Sequence, residues 1–71
     1  MLGEREAVVL EVRPFDIHGA AHVDVTLTYE DRSVETARLG SESVPGGLAA
    51  GDRVLVMKAM NVVVQIVRVE G

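Results

Sequence analysis

Apolar and polar side chains alternate along most of the chain, which is typical of β-strands that bury one face. The clearest example is Ala21–Glu30, where Val23, Val25, Leu27 and Tyr29 share one face. Four other stretches have a similar β-rich composition: Arg5–Arg13, Ser33–Leu39, Arg53–Met60 and Val62–Val69. Helical periodicity is absent from the sequence, so the pattern predicts five strands and very little helix.

Turn-forming residues separate these stretches. Pro14 is expected to end or kink the first strand, because proline cannot donate a hydrogen bond to a β-ladder. We expect a turn around His18 and Gly19, and a tight hairpin turn at Glu30–Ser33. The remaining interruption, Gly40–Asp52, is the one long connection. The three strands before this connection and the two strands after it are joined by short turns, which favours antiparallel pairing.

Some details within these segments are also predicted. In the first strand Val8, Leu10 and Val12 share a face. Val34 and Leu39 fall on opposite faces of the third strand, so a bulge near Ala37 would be needed to bring both into the core. In the long connection Ser41 is a candidate cap for a short helical turn that Pro45 ends, and Leu48 is expected to plug the core.

The last two strands are apolar on both faces. The fifth strand has Val62, Val64 and Ile66 on one face and Val63, Val67 and Val69 on the other. Either strand bulges or a sharp coil of the strand allow both faces to serve one small core, or the second face contacts another molecule. We favour the second explanation, and expect an interface formed by five apolar residues: Leu55, Met57, Val63, Val67 and Val69.

The order of three strands, a connector and two strands resembles the OB-fold, and SH3-like barrels use similar pieces. The stretch "VPGGLAAGDRVLV" is also similar to a turn-and-strand phrase found in many small β-barrels. The predicted fold class is therefore all-β, a small five-stranded antiparallel barrel that is OB-like, with an SH3-like barrel as the alternative. Residues 1–71 are expected to form one domain.

The composition and charge of the chain disfavour several classes of binding partner. The 71 residues carry a net charge of −4 and contain no cysteine, and aromatic residues make up only 3%. The negative charge and the lack of aromatic platforms disfavour binding to nucleic acid or to an anionic membrane. Without a signal-like or membrane-spanning apolar segment, we expect a cytoplasmic location. A small core with few aromatic residues makes additional burial by oligomerisation more favourable.

The sequence contains few residues that could bind a metal or catalyse a reaction. The segment "DIHGAAHVD" contains four potential metal ligands, Asp16, His18, His22 and Asp24, but their spacing matches no known metal motif. No serine lies near a histidine in sequence, and no cysteine nucleophile exists. We therefore expect no catalytic residues, no metal and no cofactor, and predict that the protein is not an enzyme.

The function expected from these features is a non-enzymatic protein-interaction or oligomerisation module that makes contact through its C-terminal β-hairpin. A homo-oligomer, preferably a dimer, is the expected assembly, and another protein is the other candidate partner. The alternative is an OB-like module that binds a small ligand or single-stranded nucleic acid. In that case His22, Thr26, Thr28 and Arg38 should form a groove on the polar face of the second and third strands.

Overall fold

Five antiparallel strands and one helical turn account for the regular structure of the chain. The computed structural model describes residues 2–69. The elements are β1 (Leu2–Ile17), β2 (Ala20–Tyr29), β3 (Val34–Gly40), a 3₁₀ turn (Ser41–Ser43), β4 (Arg53–Ala59) and β5 (Val62–Arg68). The predicted all-β class with five antiparallel strands is confirmed.

The strands form one sheet in the order β3-β2-β1-β4-β5. The long strand β1 lies at the centre, where it pairs with β4 over its first half and with β2 over the rest. The sheet curls until its two edge strands, β3 and β5, contact each other. Within residues 2–69, however, no ladder of backbone hydrogen bonds joins these two strands. The predicted closed barrel is therefore not formed, and the sheet stays open along a line between β3 and β5, here called the seam.

The concave side of the curled sheet holds an aliphatic core. Its largest fully buried side chains are Val9, Val25, Leu27, Val54, Val56 and Ile66. Val44 and Leu48 of the long connection pack against this cluster, as expected for Leu48. The turn before β4 is fixed by Gly51, whose φ is +93° and whose N–H donates to the carbonyl of Val9 at 2.8 Å. A residue with a side chain would be strained at that angle.

Two β-bulges, at Leu10 in β1 and Val64 in β5, change which residues face the core. In β1 the pairing with β2 moves from Val9 to Glu11, which leaves Leu10 unpaired and 47% exposed. The prediction that Val8, Leu10 and Val12 share a face is therefore wrong: Val12 packs against the core with Val9, whereas Val8 is exposed. A bulge reverses the alternation of side chains on one side of it, which a simple parity rule cannot anticipate.

Of the two effects expected of Pro14, an end or a kink, the first does not occur in β1. Pro14 pairs with Val23 of β2 inside a strand that continues to Ile17. The strand β4 pairs with β1 only as far as Val8, so β1 is an edge strand on that side at Pro14. Proline is tolerated in such places because no second ladder needs its missing N–H.

The third strand is regular, so the bulge predicted near Ala37 is also wrong. Its register against β2 runs without a shift from Thr28 opposite Val34 to His22 opposite Gly40. Ala37 and Leu39 point into the core, and Val34 is simply exposed. The helical turn that follows is present as expected, but its N-terminal cap is Gly40 and not Ser41.

Candidate protein-interaction surface

The β4–β5 hairpin ends in a two-residue turn formed by Met60 and Asn61. Their φ angles are +50° and +68°, the backbone of a type I′ turn, which matches the right-handed twist of the strands on both sides. Such turns strongly prefer Asn-Gly or Asp-Gly because both positions need positive φ. Met60 is therefore an unfavourable residue for this turn, and its side chain is 84% exposed.

The bulge at Val64 determines which valines of β5 face outward. Met57 pairs with Gln65 and Lys58 pairs with Val63, so Val64 has no partner on β4. As a result Ile66 and Val63 are both buried in the core, although their positions differ by an odd number. The prediction that Val63 belongs to an outward-facing interface is wrong. The alternative explanation, a bulge that lets both faces of β5 serve one core, accounts for this residue.

Three apolar side chains at the end of the hairpin remain open to solvent. Met60, Val62 and Val64 are 84%, 61% and 42% exposed, and they are here called the hairpin-tip patch. The sequence pattern places Val62 and Val64 on the face opposite the expected interface. The turn signal at Asn61 could have located Met60 in an exposed turn, but nothing in the hydrophobic pattern distinguishes a bulged valine from a paired one.

The other predicted interface residues lie on the convex side of the hairpin. Leu55 pairs with Val67 and Met57 pairs with Gln65, while Val69 donates its N–H to the carbonyl of Arg53 at 3.1 Å. Leu55, Met57, Val67 and Val69 are all half-buried by their neighbours. They form an apolar row, here called the convex row. It is bordered on β1 by Glu6 opposite Leu55 and by Glu4 opposite Met57.

The polar face of β2 and β3 is occupied by contacts within the chain. Arg38 donates two hydrogen bonds to the carboxylate of Asp24, at 3.0 and 3.2 Å, and this contact holds the pKa of Asp24 below its usual value. The hydroxyls of Thr26 and Thr36 are 3.1 Å apart and share a hydrogen bond. Of the residues proposed to line a groove, Arg38 and Thr26 are thus already paired with neighbouring side chains.

Phe15 is one of the two aromatic residues of the chain. It lies within β1 opposite His22, and the two rings stack with centroids 5.7 Å apart. The guanidinium of Arg38 lies 4.4 Å from the centre of the Phe15 ring. The ring is therefore covered by two side chains of its own chain. A base that stacked on it would have to displace them, and the positive charge of Arg38 is already balanced by Asp24.

The four potential metal ligands are not gathered into one site. Asp24 is engaged by Arg38, and Nδ1 of His22 lies 3.0 Å from the carbonyl oxygen of Ala20. His18 occupies the β1–β2 turn with a φ of +50°, and Asp16 pairs with Ala21. Over the part of the chain that the structure describes, no group of three histidine or acidic residues is placed to hold a metal ion.

A half-buried polar cluster lies at the same end of the sheet as the hairpin tip. The hydroxyl of Tyr29 on β2 donates to Oε1 of Glu35 on β3 at 2.6 Å. The ammonium group of Lys58 on β4 donates to the same oxygen at 3.1 Å. Arg5 on β1 places its guanidinium 4.1 Å from the centre of the Tyr29 ring. These contacts connect four strands, and no feature of the sequence pattern predicted them.

The comparisons with known proteins give no relative from which a function can be transferred. No protein-family model, no curated protein and no solved structure matches the chain. In the described range, 2–69, none of the helical structure is long and apolar enough to cross a membrane.

Proposed function

We propose that this chain is a non-enzymatic protein-interaction module that self-associates through its C-terminal hairpin. The observation that carries the proposal is Met60. A large apolar side chain that is 84% exposed occupies a turn position where positive φ favours asparagine, aspartate or glycine. With 84% of it exposed, the side chain adds little to the core, and residues that break a local structural rule are often functional.

Neighbouring residues support the same surface. Val62 and Val64 extend the exposed apolar area from Met60 along β5, and the half-buried convex row continues it across the hairpin. Methionine adapts its shape to a partner more easily than branched residues do. A two-fold contact is the commonest way for one patch to be covered, because the same surface then serves both copies. A homodimer is therefore the assembly we favour, and a different protein is the alternative partner.

For the fold we favour the OB-like form over the SH3-like one. The OB-fold is a partly open five-stranded Greek-key barrel. Two features support this assignment: the non-sequential pairing of β1 with β4, and the contact between β3 and β5 without a ladder in residues 2–69. This assignment concerns architecture only, since one fold supports many functions.

Self-association is tested by placing a charge in the hairpin-tip patch. We expect the wild-type protein to have the mass of two 7.6 kDa chains at tens of micromolar, and Val62→Lys to have the mass of one, because a buried unpaired charge opposes the contact. Val34→Lys is the matched control, since Val34 is also 61% exposed and lies on the other edge strand. Light scattering coupled to size-exclusion chromatography measures both masses. A wild-type mass of one chain at every accessible concentration would contradict self-association.

A second variant separates the contact from the fold. Met60→Asn gives the turn a residue that tolerates positive φ, so we expect the monomer to gain about 0.5–1 kcal/mol in its free energy of unfolding. Its self-association should weaken, because an exposed apolar side chain is lost. Urea denaturation of dilute protein measures the first effect and chromatography the second. A loss of monomer stability would show that Met60 contributes to the fold itself.

A further inference from the structure

The seam between β3 and β5 needs something other than a backbone ladder to keep it shut. Among residues 2–69, backbone hydrogen bonds join β3 to the rest of the sheet only through β2, and β5 only through β4. In the β2–β3 ladder Tyr29 donates its N–H to the carbonyl of Ser33, so by alternation Thr36 and Arg38 direct their backbone groups away from β2. Along the described chain these groups meet no backbone partner on β5.

Among residues 2–69, one side-chain hydrogen bond joins β3 to the hairpin on the other side of this gap. Glu35 belongs to β3 and Lys58 to β4, strands that are three places apart in the sheet order, yet Nζ of Lys58 lies 3.1 Å from Oε1 of Glu35. Tyr29 holds the same oxygen from β2 at 2.6 Å. Both contacts to this carboxylate are part-buried, so water and salt screen them less than contacts on the open surface. Next to these contacts, the seam is lined by Thr36 and Arg38 of β3 and by Val62 of β5.

We propose that Glu35, Lys58 and Tyr29 form a clasp that holds the open sheet curled over its core, and that the seam opens when this clasp is broken. Opening separates β3 from the β4–β5 hairpin. It exposes Ala37 and Val63, which lie in the core on the two sides of the gap. The opened seam also presents two strand edges with free backbone groups, which are available to a further strand.

The clasp is sensitive to protonation of Glu35. The hydrogen bond from Tyr29 and then the contact with Lys58 hold the pKa of Glu35 below its ordinary value of 4.5, and burial opposes this shift. The charged groups that face Glu35 are Lys58 from β4 and Arg5 from β1, and Tyr29 from β2 is the other titratable group. The nearest described residues of β5 and its turn, Asn61 to Val63, carry no charge. Since the folded-state pKa is lowered, the contribution of the clasp is complete above the ordinary pKa. It is lost as the pH falls through the lowered value.

Amide hydrogen exchange tests the clasp directly. We expect Glu35→Gln, which keeps an acceptor for Tyr29 but removes the charge, to speed exchange in β3 and β5 about tenfold while the β1–β2 ladder is unchanged, as in a local opening. Lys58→Met, which keeps the aliphatic stem, should give the same pattern. The matched control is Asp24→Asn, which removes an ion pair of similar length between adjacent strands that does not cross the seam.

Three results would overturn the proposal: unchanged exchange in both variants, an equal increase in all strands, or the same local increase in Asp24→Asn. The wild-type protein allows a further test that needs no substitution. After correction for the intrinsic pH dependence of exchange, β3 and β5 should lose protection relative to β1 and β2 as the pH is lowered through the titration of Glu35. Equal loss in all strands would again contradict a local clasp.

Discussion

Leu27→Ala is expected to unfold most of the protein at room temperature. Leu27 is completely buried in the core and lies towards the C-terminal end of β2. Shortening a buried leucine to alanine costs about 2–5 kcal/mol, because the transfer free energy of the methyl groups is lost and a cavity remains. A single core in a domain of this size supplies only about 3–5 kcal/mol of net stability. The remaining stability is therefore close to zero, which circular dichroism during urea denaturation will show.

The matched control for this prediction is Leu10→Ala. Leu10 is the bulged residue of β1 and is 47% exposed, so its truncation removes little buried area. We expect a change within about 0.5 kcal/mol, the usual range for surface substitutions. If both variants lose similar stability, Leu10 contributes to the core or to an interface between copies. Repeating the measurement at several protein concentrations distinguishes these two explanations.

Deletion of Thr26 is expected to abolish cooperative folding, whereas deletion of Leu10 is expected to be tolerated. Thr26 is paired with both β1 and β3 in the middle of β2, and tight turns fix both ends of that strand. Removing one residue moves either Val25 or Leu27 to the outer face, because side chains alternate with a period of two. Loss of one such side chain from the core costs about 1.5–3 kcal/mol before any polar group is buried in its place.

Leu10 is different because it has no partner on β2. Its deletion leaves Val9 and Val12 facing the core on a strand that now alternates regularly. Near-ultraviolet circular dichroism and amide dispersion in NMR spectra will report whether each deletion variant keeps a packed core. A folded Thr26 deletion would show that the register of β2 can slip. An unfolded Leu10 deletion would show that the curl of the sheet requires the bulge.

The parts of the fold that follow simple alternation could be predicted from the sequence. The strand β2, both of its turns and the core positions of Val25, Leu27 and Tyr29 are as expected, because polar and apolar residues alternate there without interruption. Predictions failed at Leu10 and Val64, where a bulge inserts an apolar residue that the ladder does not use. An apolar bulged residue has the same sequence signature as a core residue, so alternation alone cannot distinguish them.

The candidate surface was only partly predictable for the same reason. The excess of apolar residues in the C-terminal hairpin directs attention to that element, where Met60, Val62 and Val64 are exposed. The assignment of Val63 was reversed, however, because the bulge turns it inward. The clasp could not be predicted, since contact between Glu35 and Lys58 depends on how far the sheet curls. That curvature arises from twist and bulges over all five strands, and not from any one segment.

The shared pairing of β1 has a consequence for how the chain folds. The strands β1, β2 and β3 are joined by short turns, and so are β4 and β5, whereas the pairing of β1 with β4 joins segments far apart in sequence. Contacts between distant segments form slowly because they close a large loop. We expect the β1–β3 meander and the β4–β5 hairpin to form first, and their docking along the first half of β1 to limit the folding rate.

During synthesis the meander leaves the ribosome before its covering hairpin does. Val25 and Leu27 are therefore exposed in the nascent chain, which is the stage at which this protein is most vulnerable to aggregation.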